Sequence, residues 1–371
     1  MACFPFPSAQ GSQVYVHGMA RALARRGHRV TVACYAHGEG PVDPALRLLR
    51  APAVPGYDRL RAGPDLVKPW LDLAMAGQLA RRAGDFDVIH AHNYEAPLAG
   101  YLARAVSGVP VVYNNHNTMA EELPSYFLRP GARRLARLGG RLLDRSIPRW
   151  ADATVAISEE AVPLLEGLGC QRVSHVPPGI DPEDLVGGRR AATRARLGLG
   201  LRPWVVYAGN PDAYQDLETL VDAVCRLPEL GLLMVSASPL DRWQLRARGL
   251  PEARKRFVVT SSWPQVRDLL AASDLAGLPR QVCSGYPIKL LNYLGMGLPT
   301  VACQGSARPI AGVLSVPNGD VPAFALALQG LATDPARRAA LGRAARADVH
   351  DRFTWEACAV RLERVYEGLL S

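Results

Sequence analysis

Short runs of β-branched and apolar residues alternate with longer helical patterns along almost the whole chain. The runs predict strands at 29–35, 46–51, 86–91, 109–113, 152–157, 172–176, 204–209, 231–236, 256–260, 274–278 and 298–303. A run that is apolar throughout suits a strand buried on both faces, and the helical pattern after each run supplies the covering layer. The chain is therefore predicted to be an α/β protein with doubly wound parallel sheets that carry helices on both faces.

A break in this alternation between residues 177 and 203 predicts a domain boundary. The break begins with Pro177-Pro178-Gly179, and a chain of 371 residues exceeds the ~150 residues typical of one domain. The predicted divisions are an amino-terminal domain over 1–178, a carboxy-terminal domain over 179–350, and a helical segment over 351–371 that packs back across the domains. Because doubly wound sheets bind ligands at the carboxyl ends of their strands, a ligand is expected in a cleft between the domains.

The amino terminus departs from this scheme. Only Ala2, Cys3 and Phe4 precede the turn residues Pro5 and Pro7, whereas the usual strand has about five or six residues. We therefore expect the first strand of the amino-terminal domain to be truncated.

Composition excludes several classes of protein. Apolar residues make up 49% of the chain and charged residues 21%, which is typical of a globular protein, and no apolar run reaches the ~18 residues of a membrane span. The net charge of +9 favours anionic partners, although lysine occurs only at 68, 255 and 289. The seven cysteines contain no CxxC pair, so neither a disulfide framework nor a zinc site is expected and a reducing cytoplasm is favoured.

Two glycine- or proline-containing turns that enter predicted helices are candidate anion-binding sites. They are Gly11-Ser12-Gln13 and the segment from Ser284 to Pro287. The start of a helix presents unpaired backbone N–H groups and the positive end of the helix dipole, which suits a diphosphate. Either turn alone is better explained as ordinary turn punctuation. Two such turns, one in each predicted domain and in the order of a known family, favour a functional role.

A series of further segments gives the chain a resemblance to a known family. The segments are 26–32, 87–92, 109–112 leading to His116, 151–158, 177–181, 207–209 and 284–292. Together with Gly11-Ser12-Gln13, their order and spacing resemble glycosyltransferase family 4, whose members are retaining enzymes that use sugar nucleotides. The resemblance implies the GT-B fold, in which two Rossmann-like domains face each other across a cleft. It also implies that the donor binds in the carboxy-terminal domain and the acceptor in the amino-terminal domain.

The resemblance further implies the reaction. A sugar passes from a nucleoside-diphosphate sugar to a glycan, a lipid-linked molecule or a small-molecule acceptor, with retention of configuration. No metal or other cofactor is implied, because helix dipoles and basic side chains stabilise the leaving diphosphate. The expected location is the cytoplasm, with a peripheral position on the inner face of the membrane as a further option.

The same resemblance assigns candidate site residues. His116, in the polar run that follows a buried strand, is the candidate catalytic residue near the transferred sugar, and a helix-capping histidine is the alternative. The candidate donor-binding residues are Gly11, Ser12, Gly209, Asn210, Gln215, Ser284, Gly285, Tyr286, Pro287, Ile288, Lys289 and Asn292. His90 and His92 point to one face of a strand, but no third ligand has a matching spacing, so no metal site is expected.

Four of these positions lack the charge that the family pattern has. The family's arginine and lysine, which hold the donor diphosphate, are replaced by Asn210 and Gln215. Its two glutamates, which contact the donor sugar and the ribose, are replaced by Ser284 and Asn292. Loss of two charge-assisted hydrogen bonds removes ~3 to 6 kcal/mol of binding free energy unless other groups compensate. The candidate compensating cations are Lys289, Arg280 and Arg308.

The stretch 129–149 carries seven arginines and one acidic residue. Leu135, Leu138, Leu142 and Leu143 recur at helical spacing, so a basic amphipathic helix is predicted. Such a helix either lies on an anionic membrane surface or packs its leucines inward and leaves its arginines in solvent. Nucleic acid is not an expected partner, because no series of stacking aromatic residues accompanies the charge.

Three alternatives to this function remain open from the sequence. A non-catalytic GT-B protein that serves as a partner or scaffold for an active transferase also predicts neutral donor positions. A transferase with a lipid-phosphate sugar as donor needs less positive charge at the site. A sugar-nucleotide epimerase shares the fold, but the segments around Gly179 and Pro287 fit it less well.

Overall fold

The computed structural model describes residues 4–8, 11–55, 57, 67–127, 129–283 and 285–371. The chain forms two compact units. The first unit comprises residues 1–179, 284–286 and 355–371, and the second comprises 180–283 and 287–354. All strand pairs in both units are parallel, which confirms the predicted α/β class.

The helices and strands follow the predicted alternation. Through residue 175 they are α1 (Gly11–Arg25), β1 (Thr31–Cys34), β2 (Arg47–Arg50), α2 (Lys68–Arg82), β3 (Ile89–His92), α3 (Glu95–Ser107), β4 (Val111–Asn115), α4 (Met119–Glu122), α5 (Pro130–Ser146), β5 (Ala153–Ala156), α6 (Ala161–Gly167) and β6 (Val173–His175). The remainder are α7 (Arg190–Leu197), β7 (Trp204–Ala208), α8 (Leu217–Cys225), β8 (Gly231–Ser236), α9 (Asp241–Arg246), β9 (Lys255–Val259), α10 (Trp263–Ala272), β10 (Leu275–Leu278), α11 (Ile288–Gly295), β11 (Thr300–Cys303), β12 (Val313–Val316), α12 (Val321–Ala332), α13 (Pro335–Arg352) and α14 (Trp355–Leu370). Each predicted strand is present, and β12 is an additional strand that the sequence pattern did not indicate.

The first unit contains a four-stranded sheet of order β3-β4-β5-β6 and a separate pair β1-β2. Strands β4 and β5 are buried along their whole length, including the two asparagines that end β4. Helix α14 packs on α1, where Trp355 joins a core cluster with Tyr15 and Met19. Gly18 makes this contact possible, because a Cβ at that position would lie 2.1 Å from the Trp355 ring.

The expected truncation of the first strand concerns residues that lie partly outside the described chain. Ala2 and Cys3 are not among the described residues. Phe4 is described, and its backbone carbonyl accepts a hydrogen bond of 3.1 Å from the N–H of Tyr35.

The first unit contains a cavity of about 410 Å³. It is lined by residues of both β1 and β3, including Val32 and Ile89.

The second unit is built on a six-stranded sheet of order β12-β11-β10-β7-β8-β9. Alternate residues of β8 are buried on opposite faces, so that Leu232 packs in one core cluster with Phe324 while Leu233 packs in another with Trp204. Both faces of the sheet are therefore covered by helices. Strand β12 lies at the sheet edge and is only partly buried, so its short apolar run gave a weak signal.

Candidate functional site

In the second unit, the direction in which successive strands are added to the sheet reverses at β7. The chain proceeds from β7 to β8 and β9 on one side, and then crosses to β10 on the other side of β7. Where two crossover connections leave a parallel sheet in opposite directions, the carboxyl ends of the adjacent strands form a crevice that binds ligands. The segments that follow these strands are 209–216 after β7 and 279–287 after β10, and the latter leads into α11.

Lys289 lies at this crevice with its amine against the end of β7. Its Nζ donates hydrogen bonds to Tyr207 Oη at 2.8 Å and to Gln215 Oε1 at 3.1 Å. A Cβ on Gly209 would lie 2.6 Å from Nζ, which is closer than a real contact allows. Glycine at 209 is therefore what lets the amine approach the backbone at this point.

The two neutral residues that replace the expected cations are tied to each other. Gln215 Nε2 donates to Asn210 Oδ1 at 2.8 Å, so the Gln215 amide oxygen is left to accept from the lysine. Asn210 Nδ2 in turn donates to Asp212 Oδ2 at 2.5 Å and to Tyr214 Oη at 2.6 Å. The loop after β7 thus presents an ordered acceptor to Lys289.

Tyr207 and Tyr293 complete the cluster, and neither was among the residues predicted from the sequence. Tyr207 Oη donates to the carbonyl of Asn210 at 2.6 Å. Tyr293 Oη accepts from the N–H of Ala208 at 2.8 Å and lies 3.0 Å from its carbonyl oxygen, to which it donates. The two hydrogen bonds of Tyr293 fix α11 against β7. A tyrosine inside an apolar buried strand is the signal that could have identified Tyr207, since a buried phenol needs a partner.

Burial and the positive charge of Arg280 lower the pKa of the Lys289 amine to about 7. Asp212 and the Cys283 thiol act in the opposite direction but do not offset these effects. Near neutral pH the amine is therefore divided between its charged and neutral forms.

The other two candidate cations make different contacts. Arg280 places its guanidinium 4.8 Å from the centre of the Tyr214 ring and donates from Nε to the Val282 carbonyl at 2.6 Å. Arg308 donates to the carbonyls of Ala307 and Cys283, at 2.7 and 3.4 Å. Of the three proposed compensating cations, Lys289 is the one that contacts residue 215.

Ile288 and Asn292 lie on α11 with Lys289, and buried Pro287 occupies the position before its first residue. Asn292 is partly buried and lies three residues after Lys289, on the same side of the helix. Ser284 lies outside the described residues. The structure thus brings together Gly209, Asn210, Gln215 and Lys289, with Asn292 beside them.

His116 lies in the first unit, in a cluster of three histidines at the carboxyl ends of β3 and β4. His92 Nδ1 and His116 Nε2 share a hydrogen bond of 3.1 Å, and the ring of Tyr15 packs edge-on against both. His90 stacks on His92 with ring centroids 4.5 Å apart, and its Nδ1 shares a hydrogen bond of 2.7 Å with Tyr366 Oη. His116 therefore belongs to a packed polar cluster and is not a helix cap.

Burial keeps these imidazoles neutral. It lowers the pKa of His116 to about 4 and that of His90 to about 3, and it lowers the pKa of His92 well below its usual range. A neutral imidazole donates one hydrogen bond and accepts another, which suits a hydroxyl group and not a phosphate. Among the described residues, no group of three His, Cys, Asp or Glu side chains is arranged to hold a metal ion.

The remaining candidates also group with the first unit. Gly285 and Tyr286 belong to it, where Tyr286 packs against the Tyr15 cluster and a Cβ on Gly285 would lie 2.8 Å from the His116 carbonyl oxygen. Gly11 and Ser12 are the first two residues of α1. The candidates for donor binding are therefore divided between the two units.

Helix α5 buries a seam of small and polar residues and exposes three of its four leucines. Ala136, Gly140 and Asp144 are buried, and Asp144 accepts hydrogen bonds from the backbone N–H groups of Met119 and Ala120 at 2.8 and 3.0 Å. The exposed fractions are 72% for Leu135, 57% for Leu138 and 62% for Leu142. These three leucines therefore do not pack inward, whereas Leu143 is partly buried and packs on a cluster that contains Ile147.

No helix in the part of the chain that the structure describes is long and apolar enough to cross a bilayer. The seven arginines of 129–149 are all exposed, and none forms an ion pair with a described carboxylate. The exposed surface of α5 is therefore apolar and positively charged.

Two family models match the chain. The model of glycosyltransferase family 4 matches residues 9–184, and that of glycosyl transferases group 1 matches residues 202–334. A D-inositol 3-phosphate glycosyltransferase from Xylanimonas cellulosilytica is 32% identical over 96% of this chain and 91% of that protein. A protein of the same name from Stackebrandtia nassauensis is 29% identical over 96% of this chain and 86% of that protein.

Solved structures share the architecture at lower identity. A sucrose-phosphate synthase from Thermosynechococcus elongatus has a TM-score of 0.79 at 22% identity, covering 97% of this chain and 94% of that one. The Anabaena protein HepE, in complex with UDP-glucose, has a TM-score of 0.72 at 15% identity, covering 99% of both chains. The chain therefore belongs to glycosyltransferase family 4, has the GT-B fold and is a glycosyltransferase.

Proposed function

We propose that this glycosyltransferase moves a sugar from a nucleoside-diphosphate sugar to a glycan, lipid-linked or small-molecule acceptor, with retention of configuration. The observation that carries the proposal is the Lys289 amine at the carboxyl end of β7, held by Tyr207 and Gln215. The names of the relatives and the complex of HepE with UDP-glucose support the same donor class.

In this proposal the second unit binds the donor diphosphate. Lys289 supplies the positive charge, and the first backbone N–H groups of α11 supply further donors. Together they stabilise the negative charge that develops on the leaving phosphate, so the reaction needs no metal ion. Asn292 is proposed to hydrogen-bond a hydroxyl of the nucleoside or sugar, for which a neutral amide suffices.

The first unit is proposed to bind the acceptor. Neutral His116, in its cluster with His92, offers hydrogen bonds to a sugar hydroxyl. No pair of carboxylates of the glycosidase kind is required, because a retaining transfer lets the leaving phosphate take the acceptor proton on the same face of the sugar. His116 is thus assigned to orienting the transferred sugar.

We further propose that α5 holds the enzyme on an anionic membrane, on the cytoplasmic side. The exposed leucines form one stripe opposite the buried seam of the helix, and Arg134, Arg141 and Arg145 lie along one side of that stripe. An apolar stripe beside exposed positive charge is complementary to the headgroup region of anionic lipids. A lipid-linked acceptor is the acceptor class that this surface favours.

A thermal-shift titration of the purified protein against UDP, GDP, ADP, dTDP and their sugars tests the donor assignment. A ligand at 100 times its Kd stabilises the folded state by ~2.7 kcal/mol, which gives a measurable rise in Tm. A response to one nucleotide and its sugar is the expected result. The responding nucleotide sugar is then used in a transfer assay with lipid and glycan acceptors.

A sugar donor with a single lipid-linked phosphate is the second candidate. It is favoured by the presence of one titratable amine where the family resemblance places two permanent cations. If folded protein shows no shift with any nucleotide but responds to a polyprenyl phosphate sugar, this candidate replaces the first. If a nucleotide sugar binds but is neither transferred nor hydrolysed, a partner role in a complex is favoured.

A further inference from the structure

Lys289 belongs to a different element from the residues whose charge is missing. Asn210 and Gln215 follow β7, whereas Lys289 lies on α11, the helix that follows β10. We propose that Lys289 supplies, from α11, the diphosphate-binding charge that positions 210 and 215 lack, and that binding of the donor is coupled to uptake of a proton at Lys289 Nζ. This inference rests on the proposed nucleotide-sugar donor.

The geometry makes positions 215 and 289 interchangeable as sources of an amine. Gln215 is buried, and its side-chain oxygen lies 3.1 Å from Lys289 Nζ. A lysine at 215 would extend from the same backbone position toward the same point. The space above Gly209 that an amine from 215 would occupy is already taken by the amine of Lys289.

The surroundings of Nζ contain acceptors but no counter-ion. From β7 and its loop, Tyr207 Oη and Gln215 Oε1 each accept one of its hydrogens, and the Tyr207 ring centre lies 4.6 Å away. Among the described residues no carboxylate forms an ion pair with Lys289, since Asp212 is engaged by Asn210. Two of the three N–H groups of the ammonium are thus directed at neutral oxygens, so the hydrogen bonds to described residues do not neutralise its charge.

The charged and titratable groups that face Nζ come from each element packed around it. They are Tyr207 on β7, Asp212 and Tyr214 in the loop after β7, Arg280 and Cys283 after β10, and Tyr293 on α11. Burial and Arg280 favour the neutral amine, and Asp212 and Cys283 favour the charged one. A diphosphate bound beside Nζ would add negative charge and thereby favour the ammonium.

The direction of the pH dependence follows from this. Burial and Arg280 lower the pKa of Lys289 to about 7 without ligand, and a bound diphosphate raises that pKa. Near neutral pH a fraction of the amines therefore takes up a proton on binding. Above pH 7 the affinity falls by up to about tenfold per pH unit, because each binding event then requires one proton from solvent. A nucleotide sugar has no phosphate proton that titrates near neutral pH, so the proton is assigned to the protein.

Isothermal titration calorimetry with the nucleotide sugar that gives the largest thermal shift among UDP-glucose, GDP-mannose, ADP-glucose and dTDP-glucose tests the inference. Titrations at pH 7 in PIPES and in imidazole, which contain no phosphate and differ in ionisation enthalpy, report the number of protons taken up. Wild-type protein is expected to take up a fraction of a proton and to lose affinity at higher pH. The Lys289→Met variant is expected to bind at least tenfold more weakly and to take up none.

Two further variants separate charge from folding. Lys289→Arg keeps a permanent cation, so it is expected to bind without proton uptake and with a flat pH profile. Lys289→Met combined with Gln215→Lys is expected to regain affinity, because the amine returns from position 215. The matched control is Lys255→Met, which removes a lysine from the edge strand β9 and is expected to leave binding unchanged.

Different binding results overturn the role of Lys289 and the proposed donor class. If wild-type protein binds a nucleotide sugar but Lys289→Met binds it equally well, or if binding takes up no proton and is flat with pH, the inference is overturned and the proposed donor class stands. If no nucleotide sugar binds to wild-type protein that melts cooperatively, both are overturned together. Recovery of binding in the Gln215→Lys double variant is the result that a merely structural role of Lys289 does not give.

Discussion

Gln215 Oε1 accepts a hydrogen bond of 3.1 Å from Lys289 Nζ, although the two residues lie 74 positions apart in the chain. The switch in strand order beside β7 brings them to the same edge of the sheet. Position 215 is where the family resemblance places a cationic side chain, and α11 supplies a cation to that point. A neutral residue at 215 therefore does not by itself mean that the site lacks positive charge.

Removal of the Tyr207 hydroxyl is expected to weaken donor binding. Tyr207 Oη accepts from Lys289 and donates to the Asn210 carbonyl, so Tyr207→Phe loses both bonds while the buried ring remains. At ~0.5 to 1.5 kcal/mol for each hydrogen bond, the two bonds together contribute ~1 to 3 kcal/mol, so we expect an affinity loss of roughly five- to 150-fold in calorimetry with the bound nucleotide sugar. An unchanged Kd would show that the hydroxyl does not position the amine.

Gly209→Ala is expected to displace the Lys289 amine. A Cβ at 209 would lie 2.6 Å from Nζ and 3.2 Å from Tyr207 Oη, so the lysine side chain has to move. We expect nucleotide-sugar affinity to fall at least tenfold, with a loss of about 1 kcal/mol in unfolding free energy. Gly249→Ala is the matched control, because no atom lies within 4 Å of the added Cβ, and it is expected to bind normally. Equal binding by both variants contradicts the placement of the amine.

The fold was predictable because the central strands of its sheets are buried on both faces. A strand such as β8, with Leu232 and Leu233 in separate cores, has to be apolar at every position, and such runs are visible in the sequence. Strand β12 was missed because an edge strand that is half-exposed carries only a short apolar run, Val313-Leu314-Ser315-Val316. The regularity of the α/β pattern thus identified all but this edge strand.

The arrangement of the site was only partly predictable. Spacing singled out Lys289 as a candidate, and a lysine in an arginine-rich chain was an additional signal. The contacts with Tyr207 and Gln215 depend on the strand order, which local sequence does not specify. The exposed leucines of α5 were undecided for the same reason: helical spacing defines a face, but the partner of that face depends on tertiary packing.

The free energy of unfolding is expected to fall as the pH drops below about 6.5. Burial lowers the pKa of His90 to about 3 and that of His116 to about 4, whereas a histidine in an unfolded chain has a pKa of ~6.5. Between these values the unfolded chain binds more protons, so unfolding free energy falls as the pH is lowered. Urea unfolding between about pH 7.5 and pH 4.5 measures this decline, which we expect to be on the order of a few kcal/mol.

A single substitution tests the source of that decline. His116→Asn keeps a polar side chain beside His92 but cannot take up a proton. The variant is expected to be less stable than wild type at pH 7.5 and to lose less stability on acidification. Parallel pH profiles for the two proteins would mean that His116 does not contribute.

The exposed face of α5 is expected to bind anionic vesicles. Wild-type protein is expected to co-sediment with phosphatidylglycerol vesicles at low salt but not with phosphatidylcholine vesicles. Replacing Arg133, Arg137 and Arg141 with glutamine removes ~1 kcal/mol of attraction per residue, so membrane affinity should fall by about two decades. All three are exposed and without ion pairs to described carboxylates, so folding should be unaffected.

The leucines of the same face separate insertion from charge attraction alone. A triple variant, Leu135→Ser, Leu138→Ser and Leu142→Ser, removes the apolar stripe but keeps every arginine. It is expected to lose the part of vesicle binding that persists at raised salt. The matched control replaces three exposed leucines of the second unit, Leu201, Leu245 and Leu326, with serine. Since these leucines lie outside α5, the control should still sediment with anionic vesicles. If the α5 variant also sediments normally, binding is electrostatic alone, and if wild-type protein does not sediment at all, an acidic protein becomes the expected partner of this face.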